Sequence, residues 1–205
     1  MNMKLASIAL SGALLVSGAS FGLDFDPSFY VGGEAQYNKL KAGNDKALQD
    51  TNGKSLIRKK SSPGAGLFLG TRVTENFGAE VGYSVLKKSH NTPVAGRTLD
   101  VKMNNPYIDA MGYLPVANDV ELIGSVGVGR LSTKVENKVN GVVQPLSTTV
   151  NAKNLAKSKA GVRLGLGAQY KFSENVGARF MVRHQKGNKI IKNVNSAGLG
   201  LFYQF

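Results

Sequence analysis

The chain ends in the stretch Gly198-Leu199-Gly200-Leu201-Phe202-Tyr203-Gln204-Phe205, in which large apolar side chains alternate with small or polar ones. At the two-residue period of a β-strand, the odd-numbered residues from Leu199 to Phe205 share one apolar face. The opposite face carries glycine and glutamine, with Phe202 among them. Chain termini are usually polar and frayed, so this ending predicts a strand whose apolar face is covered. Two structures satisfy it: the last strand of a soluble β-sandwich, or a strand of a membrane barrel.

Residues 1–22 have the pattern of a secretory signal peptide. Lys4 precedes an apolar run from Leu5 to Val16, and small residues follow from Ser17 to Gly22. This run is shorter than the roughly 18–20 residues of a membrane-spanning helix, and no comparable run occurs later. The chain has no cysteine, so its stability does not depend on disulfides. We therefore predict an exported protein with a signal peptide at 1–22 and one domain at 23–205.

Alternating apolar and polar residues recur along the rest of the chain and predict eight strands. Short polar turns such as Thr74-Glu75-Asn76 and Ser173-Glu174-Asn175 separate some of them, and long polar segments separate the others. In the fourth strand the apolar residues are odd-numbered up to Met103 and even-numbered from Ile108 onward. This change of phase predicts a β-bulge at Asn104-Asn105-Pro106.

The polar face of these strands is rich in glycine, whereas a soluble sandwich would present Lys, Thr and Glu to water there. The interior of an eight-stranded barrel is just wide enough for side chains, so small residues suit it. Closure also removes the strand edges that hydrocarbon does not tolerate. The pattern therefore favours a closed membrane barrel over the sandwich. The inner-face glycines are Gly32, Gly66, Gly70, Gly82, Gly127, Gly129, Gly161, Gly165, Gly167, Gly177, Gly198 and Gly200. Aromatic residues near strand ends, as in membrane girdles, are Tyr37, Phe77, Tyr170, Phe172, Tyr203 and Phe205.

Several segments resemble one family of membrane barrels. The sequences from Glu75 to Tyr83 and from Gly124 to Gly129 are similar to strands of the eight-stranded outer-membrane barrels. That family includes the OmpA membrane domain, OmpX, the opacity proteins and Adr-type surface adhesins. The terminal Gly200, Tyr203 and Phe205 resemble its C-terminal assembly signal, recognised by the barrel-assembly machinery. The resemblance implies an all-β, eight-stranded, antiparallel, up-and-down transmembrane β-barrel over 23–205. It further implies a monomer in the bacterial outer membrane, with the long loops exposed at the cell surface.

Charged residues of both signs fall on the predicted inner face. They are expected to pair, because an unpaired buried charge is severely destabilising. Two roles fit: a charged gate or proton path, or a network of salt bridges that fills the barrel. Because the lumen of eight strands is narrow, we favour the network and predict negligible ion conduction. The predicted barrel-interior charge network comprises Glu34, Arg72, Glu80, Asp109, Glu121, Arg163, Arg179 and Arg183.

Basic residues concentrate in the long segments rather than in the short turns. The chain has 26 Lys and Arg against 13 Asp and Glu, a net charge of +13. The predicted extracellular loops run over 39–62, 86–102, 130–159 and 184–192. Asn140-Gly141 is a strong tight-turn signal, so the fifth and sixth strands are expected to extend as a hairpin beyond the membrane. The predicted ligand-binding residues are Arg58, Lys59, Lys60, Lys87, Lys88, Lys134, Lys138, Lys153, Lys157 and Lys159.

A basic rim attracts polyanions and raises their encounter rate, which leaves two functions open. The first is an adhesin-like surface protein whose loops bind host or extracellular acidic ligands. The second is a structural barrel that stabilises the outer membrane through its lipid and lipopolysaccharide, without pore or enzyme activity. A merely solvated rim would also account for the lysines. Nucleic acid is not an expected partner, because these loops lack interleaved aromatic residues.

No enzyme activity, cofactor or metal site is predicted. His90 and His184 are the two histidines, and neither has the His-x-Ser-Asn spacing of lipid A deacylases. No pair of histidines at ligand spacing, no cysteine and no Asp-rich loop indicates a metal.

Overall fold

The strands form one continuous antiparallel sheet. A computed structural model describes residues 27–42, 61–91, 97–139, 142–144, 155–187 and 191–205. No described segment is a helix long and apolar enough to cross a bilayer. The predicted signal peptide at 1–22 lies outside the described residues. The strands are β1 (Ser28–Ala42), β2 (Ser61–Arg72), β3 (Phe77–Asn91), β4 (Arg97–Ala117), β5 (Val120–Val139), β6 (Val142–Gln144), β7 (Leu155–Lys171), β8 (Val176–Lys186) and β9 (Ile191–Gln204).

Eight of these strands close into a barrel. β1 pairs with both β2 and β9, and β4 pairs with both β3 and β5, so the hydrogen-bond ladder returns to its start. The remaining strand, β6, has three residues and pairs with the end of β5. The predicted all-β, eight-stranded antiparallel barrel is therefore confirmed.

The outer wall of the barrel is apolar. Leu67, Leu166 and Leu199 expose 71%, 73% and 65% of their surface, and exposed Val, Ile and Leu continue around the wall. Soluble monomers rarely expose contiguous apolar surface on this scale, whereas a bilayer covers it. The alternation of the last strand is also as predicted, because Leu199, Leu201, Tyr203 and Phe205 are exposed while Phe202 is buried.

The short connections and both described chain ends lie at one end of the barrel, the turn end. In the turn before β3, the Thr74 hydroxyl accepts hydrogen bonds from the backbone N–H groups of Asn76 and Phe77. Asn76 then bonds through its side chain and backbone to Tyr113 of the neighbouring strand. The second turn, Ser173-Glu174-Asn175, repeats this arrangement against Gln204. The repeated Thr/Ser-Glu-Asn sequence therefore ties each turn to the adjacent strand.

The predicted bulge at Asn104-Asn105-Pro106 is wrong. β4 pairs with β3 in unbroken register from Phe77↔Gly112 to Asn91↔Thr98. Its side chains keep one phase, with Met103, Asn105 and Tyr107 all buried inside the barrel. The apolar residues change face because Met103 contributes to an apolar layer in the interior. The register shift of β4 lies instead between Pro115 and Ala117, at the turn end.

The predicted loop boundaries are also wrong, because the strands continue into the basic segments. β4 and β5 remain paired as far as Arg97↔Val139, and β5 and β7 as far as Val135↔Leu155. Polar side chains do not end a strand whose backbone hydrogen bonds are satisfied by its neighbours. The connections at the loop end are consequently 43–60, 92–96, 140–141, 145–154 and 188–190, all outside the described residues. Val139 pairs with Val142, and the tight turn predicted at residues 140–141 lies outside the described residues.

Candidate functional site

The interior contains a network of buried charges around Glu80. Both carboxylate oxygens of Glu80 accept hydrogen bonds from Arg179, with Nη2 at 3.1 Å from Oε1. Tyr30 donates to Glu80 Oε2 at 3.1 Å, and Tyr107 donates to Oε1 at 3.0 Å. Because one carboxylate receives donors from β1, β4 and β8, it links distant strands across the lumen. The network therefore occupies the middle of the barrel with fixed polar groups.

Glu34 extends this network toward the loop end. Arg183 Nη1 donates to the two oxygens of Glu34 at 2.8 and 2.9 Å, and Arg179 Nη2 lies 3.5 Å from the same carboxylate. Gln36 also donates to Glu34 and to Ser84. Acidic and arginine side chains alternate along this row of contacts, so each buried charge has a partner of opposite sign.

Two further pairs complete the set. Arg163 Nε donates to Asp109 Oδ2 at 2.8 Å, and its guanidinium lies 3.6 Å from the centre of the Tyr107 ring. Near the turn end, Arg72 Nη2 is 2.7 Å from Glu121 Oε1. The structure thus places all eight residues of the predicted interior network inside the barrel and joins each to a partner of opposite charge.

Interior aromatic rings pack against glycines of neighbouring strands. The sequence pattern identified these inner-face glycines but not the rings that pack on them. A Cβ built on Gly82 would overlap the ring of Tyr107, and one on Gly70 would overlap the ring of Tyr30. Glycine at these positions leaves room for the rings, so that their hydroxyl groups reach Glu80. The hydroxyl groups of Tyr30 and Tyr113 lie 2.9 Å apart, which adds Tyr113 to the network. Sequence reasoning did not identify these three tyrosines as parts of the network, although their positions on the inner phase were a usable signal.

An apolar layer seals the interior toward the loop end. Across the ladder, Leu40 pairs with Val194 and Leu86 with Met103. Below this layer, Asn105 and Gln185 exchange two amide hydrogen bonds of 2.7 and 2.9 Å. Two interior cavities lined by described residues each have a volume of about 10 Å³, room for a single water. The side chains of the layer are Leu40, Leu86, Met103, Leu131, Ile191 and Val194, all buried.

The predicted ligand-binding lysines are divided between strands and undescribed segments. Arg58, Lys59, Lys60 and Lys153 lie outside the described residues. Lys87 and Lys88 lie in β3, Lys134 and Lys138 in β5, and Lys157 and Lys159 in β7, so these six belong to strands rather than loops. Lys134 and Lys159 are exposed. The structure therefore places part of the basic set on a paired β-ladder at the loop end.

Other cations of the loop end project from the outer wall. The sequence pattern did not distinguish them from the other basic residues of the predicted loops. Lys39 and Lys41 on β1 and Lys186 on β8 continue the outward phase and are exposed. Arg130 on β5 is also outward, and its Nε donates to Ser158 Oγ at 2.8 Å. Outward cations begin where the apolar wall ends, so they mark its boundary on the loop side.

No group of three or more His, Cys, Asp or Glu among the described residues is arranged to hold a metal ion. His184 bonds through Nδ1 to Asn195 Oδ1 on the outer wall. His90 lies in β3, and its side chain is outside the described set.

Comparison with known proteins decides the family. The family model described as "Outer membrane protein beta-barrel domain" matches residues 6–205, nearly the whole chain. The chain belongs to this family. Members of this family are β-barrels of the bacterial outer membrane, so this protein is located there as well. A search of curated proteins found no match.

Several solved outer-membrane barrels share the fold at low sequence identity. Neisserial surface protein A is 16% identical with a TM-score of 0.59, covering 87% of this chain and 97% of that one. OprG of Pseudomonas aeruginosa is 13% identical with a TM-score of 0.58, covering 88% and 97%. Ail, the attachment invasion locus protein of Yersinia pestis, solved with the heparin analogue sucrose octasulfate, is 17% identical with a TM-score of 0.53, covering 87% and 97%.

The predicted assembly signal lies on the strand that closes this outer-membrane barrel. Tyr203 and Phe205 are exposed on the outer wall, and Gly200 is buried against Glu34. The backbones of Phe29 and Phe205 exchange two hydrogen bonds of 3.2 and 2.9 Å. Of the three signal residues, Tyr203 and Phe205 are therefore accessible from the membrane side.

Proposed function

We propose that this outer-membrane barrel is an adhesin-like surface protein whose basic loop end binds anionic extracellular ligands. The observation that carries the proposal is the continuation of the β4–β5–β7 ladder beyond the apolar wall. On β5 the outward residues change from Val128 to Arg130, Ser132 and Lys134, while pairing with β4 continues to Val139. A paired ladder fixes the backbone positions from which the lysine side chains extend, so less backbone conformational entropy is lost when a polyanion binds than on a flexible loop.

The proposed ligand is a sulfated or otherwise acidic polymer. Arg58-Lys59-Lys60 is the densest basic cluster in the sequence, of the kind associated with heparin-like ligands. It belongs to the 43–60 connection, which joins β1 to β2 at the same end as the extended ladder. The similarity of fold to Ail, crystallised with a heparin analogue, supports this ligand class.

The remaining expectations are part of the same proposal. Residues 1–22 are removed as a signal peptide, and the barrel of residues 23–205 acts as a monomer assembled by the barrel-assembly machinery. The protein has no enzymatic activity.

Heparin binding of the protein in phosphatidylcholine nanodiscs tests the proposal. The variant R58E/K59E/K60E should bind heparin at least tenfold more weakly, because reversal of three clustered charges turns attraction into repulsion. Binding of the unmodified protein should also weaken steeply with added salt. Surface plasmon resonance on immobilised heparin measures both effects, and soluble heparin should compete with attachment of the protein to host cells.

The matched control, K186E/K189E/K192E, reverses three lysines in and beside the connection between β8 and β9, with the same change in net charge. It should lose much less heparin affinity than R58E/K59E/K60E if the cluster, rather than total charge, binds the ligand. Binding that is unchanged by the cluster reversal and by salt would overturn the proposal. That result would favour the second candidate, a structural barrel that contacts lipopolysaccharide.

A further inference from the structure

A second basic surface lies on the opposite side of the barrel from the β4–β5 ladder, on the outer wall of β8, β9 and β1. Lys41 on β1 and Lys186 on β8 both pair with Asn193 on β9, so the two lysines flank one asparagine. Lys39 pairs with Asn195 two residues away. We call Lys39, Lys41, Lys186, Asn193 and Asn195 the β1–β9–β8 patch.

The patch lies at the level where hydrocarbon gives way to lipid headgroups. A tilted strand crosses the hydrocarbon in about ten residues. Counting ten residues from the exposed aromatic Phe29 at the turn end reaches Lys39, and counting back from Phe205 reaches Asn195. On β8, the same count from Val176 reaches Lys186. Three neighbouring strands therefore change to polar, mostly cationic side chains at one height.

A groove in the wall adjoins these side chains. It has a volume of about 360 Å³, and Tyr37, Lys39, Lys41 and Asn195 are among its lining residues. Tyr37 is 53% exposed and offers an apolar ring below the lysines. His184 contacts the side-chain oxygen of Asn195, which leaves the amide nitrogen of Asn195 as a donor. The groove thus combines an apolar lower part with cations and amide donors above it.

The described carboxylates form their ion pairs in the barrel interior and none with this patch. The other basic ladder differs, because Lys102 pairs with Lys134 and the next outward step holds Asp100 paired with Glu136. The described partners of the patch lysines on β9, by contrast, are amides. A phosphate beside Lys41 and Lys186 would have amide groups, and no described carboxylate, as its neighbours on this ladder.

We propose that the β1–β9–β8 patch binds the phosphate groups of a phosphorylated glycolipid in the outer leaflet, with acyl chains against the apolar wall beside Tyr37. Lysines at the membrane surface gain about 1 kcal/mol each from anionic headgroups, equivalent to about fivefold in affinity per lysine. This site is separate from the β4–β5–β7 ladder and the Arg58-Lys59-Lys60 cluster proposed for extracellular polyanions, and it does not depend on heparin binding.

Nanodiscs of phosphatidylcholine that contain diphosphoryl lipid A provide the test. Dephosphorylated lipid A, and phosphatidylcholine with inorganic phosphate in the buffer, are the comparison arms. The midpoint of thermal unfolding, followed by the heat-dependent shift on gels, should be highest with diphosphoryl lipid A. K39Q/K41Q should lose most of this increase, and its affinity for fluorescent diphosphoryl lipid A should fall about fivefold per lysine. K102Q/K134Q, which removes the same charge from the β4–β5 ladder, should retain the increase.

Dephosphorylated lipid A shows whether K39Q/K41Q folds, since the midpoint should there equal that of the unmodified protein. K39R/K41R should restore the increase, and the single variants K39Q and K41Q replace the double variant if it does not fold. Three results would overturn the proposal: an undiminished increase in K39Q/K41Q, an equal increase with inorganic phosphate alone, or an equal loss in K102Q/K134Q.

Discussion

At the scale of single residues, this barrel depends on glycines that accommodate aromatic rings. Gly82 on β3 pairs with Tyr107 on β4, and the tyrosine ring occupies the space that a side chain on Gly82 would fill. Arg163 lies on the face of this ring, and the Tyr107 hydroxyl donates a hydrogen bond to Glu80. The absence of a side chain at Gly82 therefore leaves room for a ring that supports the buried charge network.

Replacement of Gly82 by alanine should lower the free energy of unfolding by about 1–3 kcal/mol, because the added methyl group displaces the Tyr107 ring. Urea titration of the protein refolded in lipid vesicles measures the change. Gly124→Ala is the matched control, since nothing lies within 4 Å of a Cβ at Gly124 and the outer wall is open there. Its effect should stay within about 0.5 kcal/mol. Equal destabilisation by both variants would contradict the ring-packing explanation.

The residue scale also shows why charges of both signs are needed inside. Arg179 faces two carboxylates, Glu34 and Glu80, and Arg183 shares Glu34. Each guanidinium is almost fully buried, so these ion pairs must offset much of its desolvation. Arg179 also lies over the ring of Phe68, 3.4 Å from its centre. The sequence predicted that pairing must occur, but residues far apart in the chain make each pair.

At the scale of elements, β9 both closes the barrel and carries the proposed assembly signal. Phe205 exposes 62% of its surface, and its ring stacks on Phe29 and Tyr203 with centroid separations of 6.5 and 6.2 Å. Its backbone hydrogen bonds to Phe29 do not require the side chain. Folding and recognition can therefore be separated by a side-chain substitution.

Phe205→Ala should reduce the amount of folded protein in the outer membrane of cells several-fold, while refolding of the purified protein in detergent stays efficient. The physical reason is that the exposed ring serves recognition more than barrel closure. Heat-modifiable mobility of membrane fractions measures assembly. Phe172→Ala removes a girdle ring of similar exposure, 59%, that contacts Tyr170. Equal loss of assembly in the two variants would show that general membrane anchoring, and not the C-terminal signal, is affected.

The elements at the loop end differ from the sequence prediction for a physical reason. The predicted loop boundaries ended the strands where lysines become frequent, although Asn140-Gly141 predicted that the fifth and sixth strands extend as a hairpin. Backbone hydrogen bonding does not depend on which side chains face water. Once β4 and β5 are aligned in the barrel, each further pair costs little additional loop entropy. The ladder consequently continues to Val139.

At the scale of the whole molecule, the barrel is filled rather than hollow. The salt-bridge network around Glu80 occupies the middle, and the buried apolar layer that includes Leu40 and Leu131 closes the loop end. The described interior cavities of about 10 Å³ do not form an aqueous path. Ions would have to cross both an apolar layer and fixed charges.

The purified protein should therefore show no large, stable single-channel currents in planar bilayers. Leu131→Ala should remain closed as well, because the charge network below the apolar layer still fills the lumen. A wide porin in the same bilayers provides the positive control for insertion and recording. Large stable currents from the unmodified protein would contradict the filled-lumen interpretation.

The sequence by itself determined the architecture and the two faces of the wall. Few folds fit strands with glycine on one face and Leu, Val and aromatic residues on the other. The terminal Tyr203-Gln204-Phe205 is typical of one of them, the membrane barrel. It also indicated which charged residues point inward, since strand phase follows from local alternation.

Only the tertiary structure decided which charges meet, where strands end and which lysines face the membrane. Glu34 and Arg183 are 149 residues apart in the chain, and closure of β1 against β9 brings them together. The phase of Met103, misinterpreted as a bulge, likewise depends on a layer formed by several strands. Local alternation determines faces, but pairing and membrane level depend on the register between strands, which is set by closure of the whole barrel.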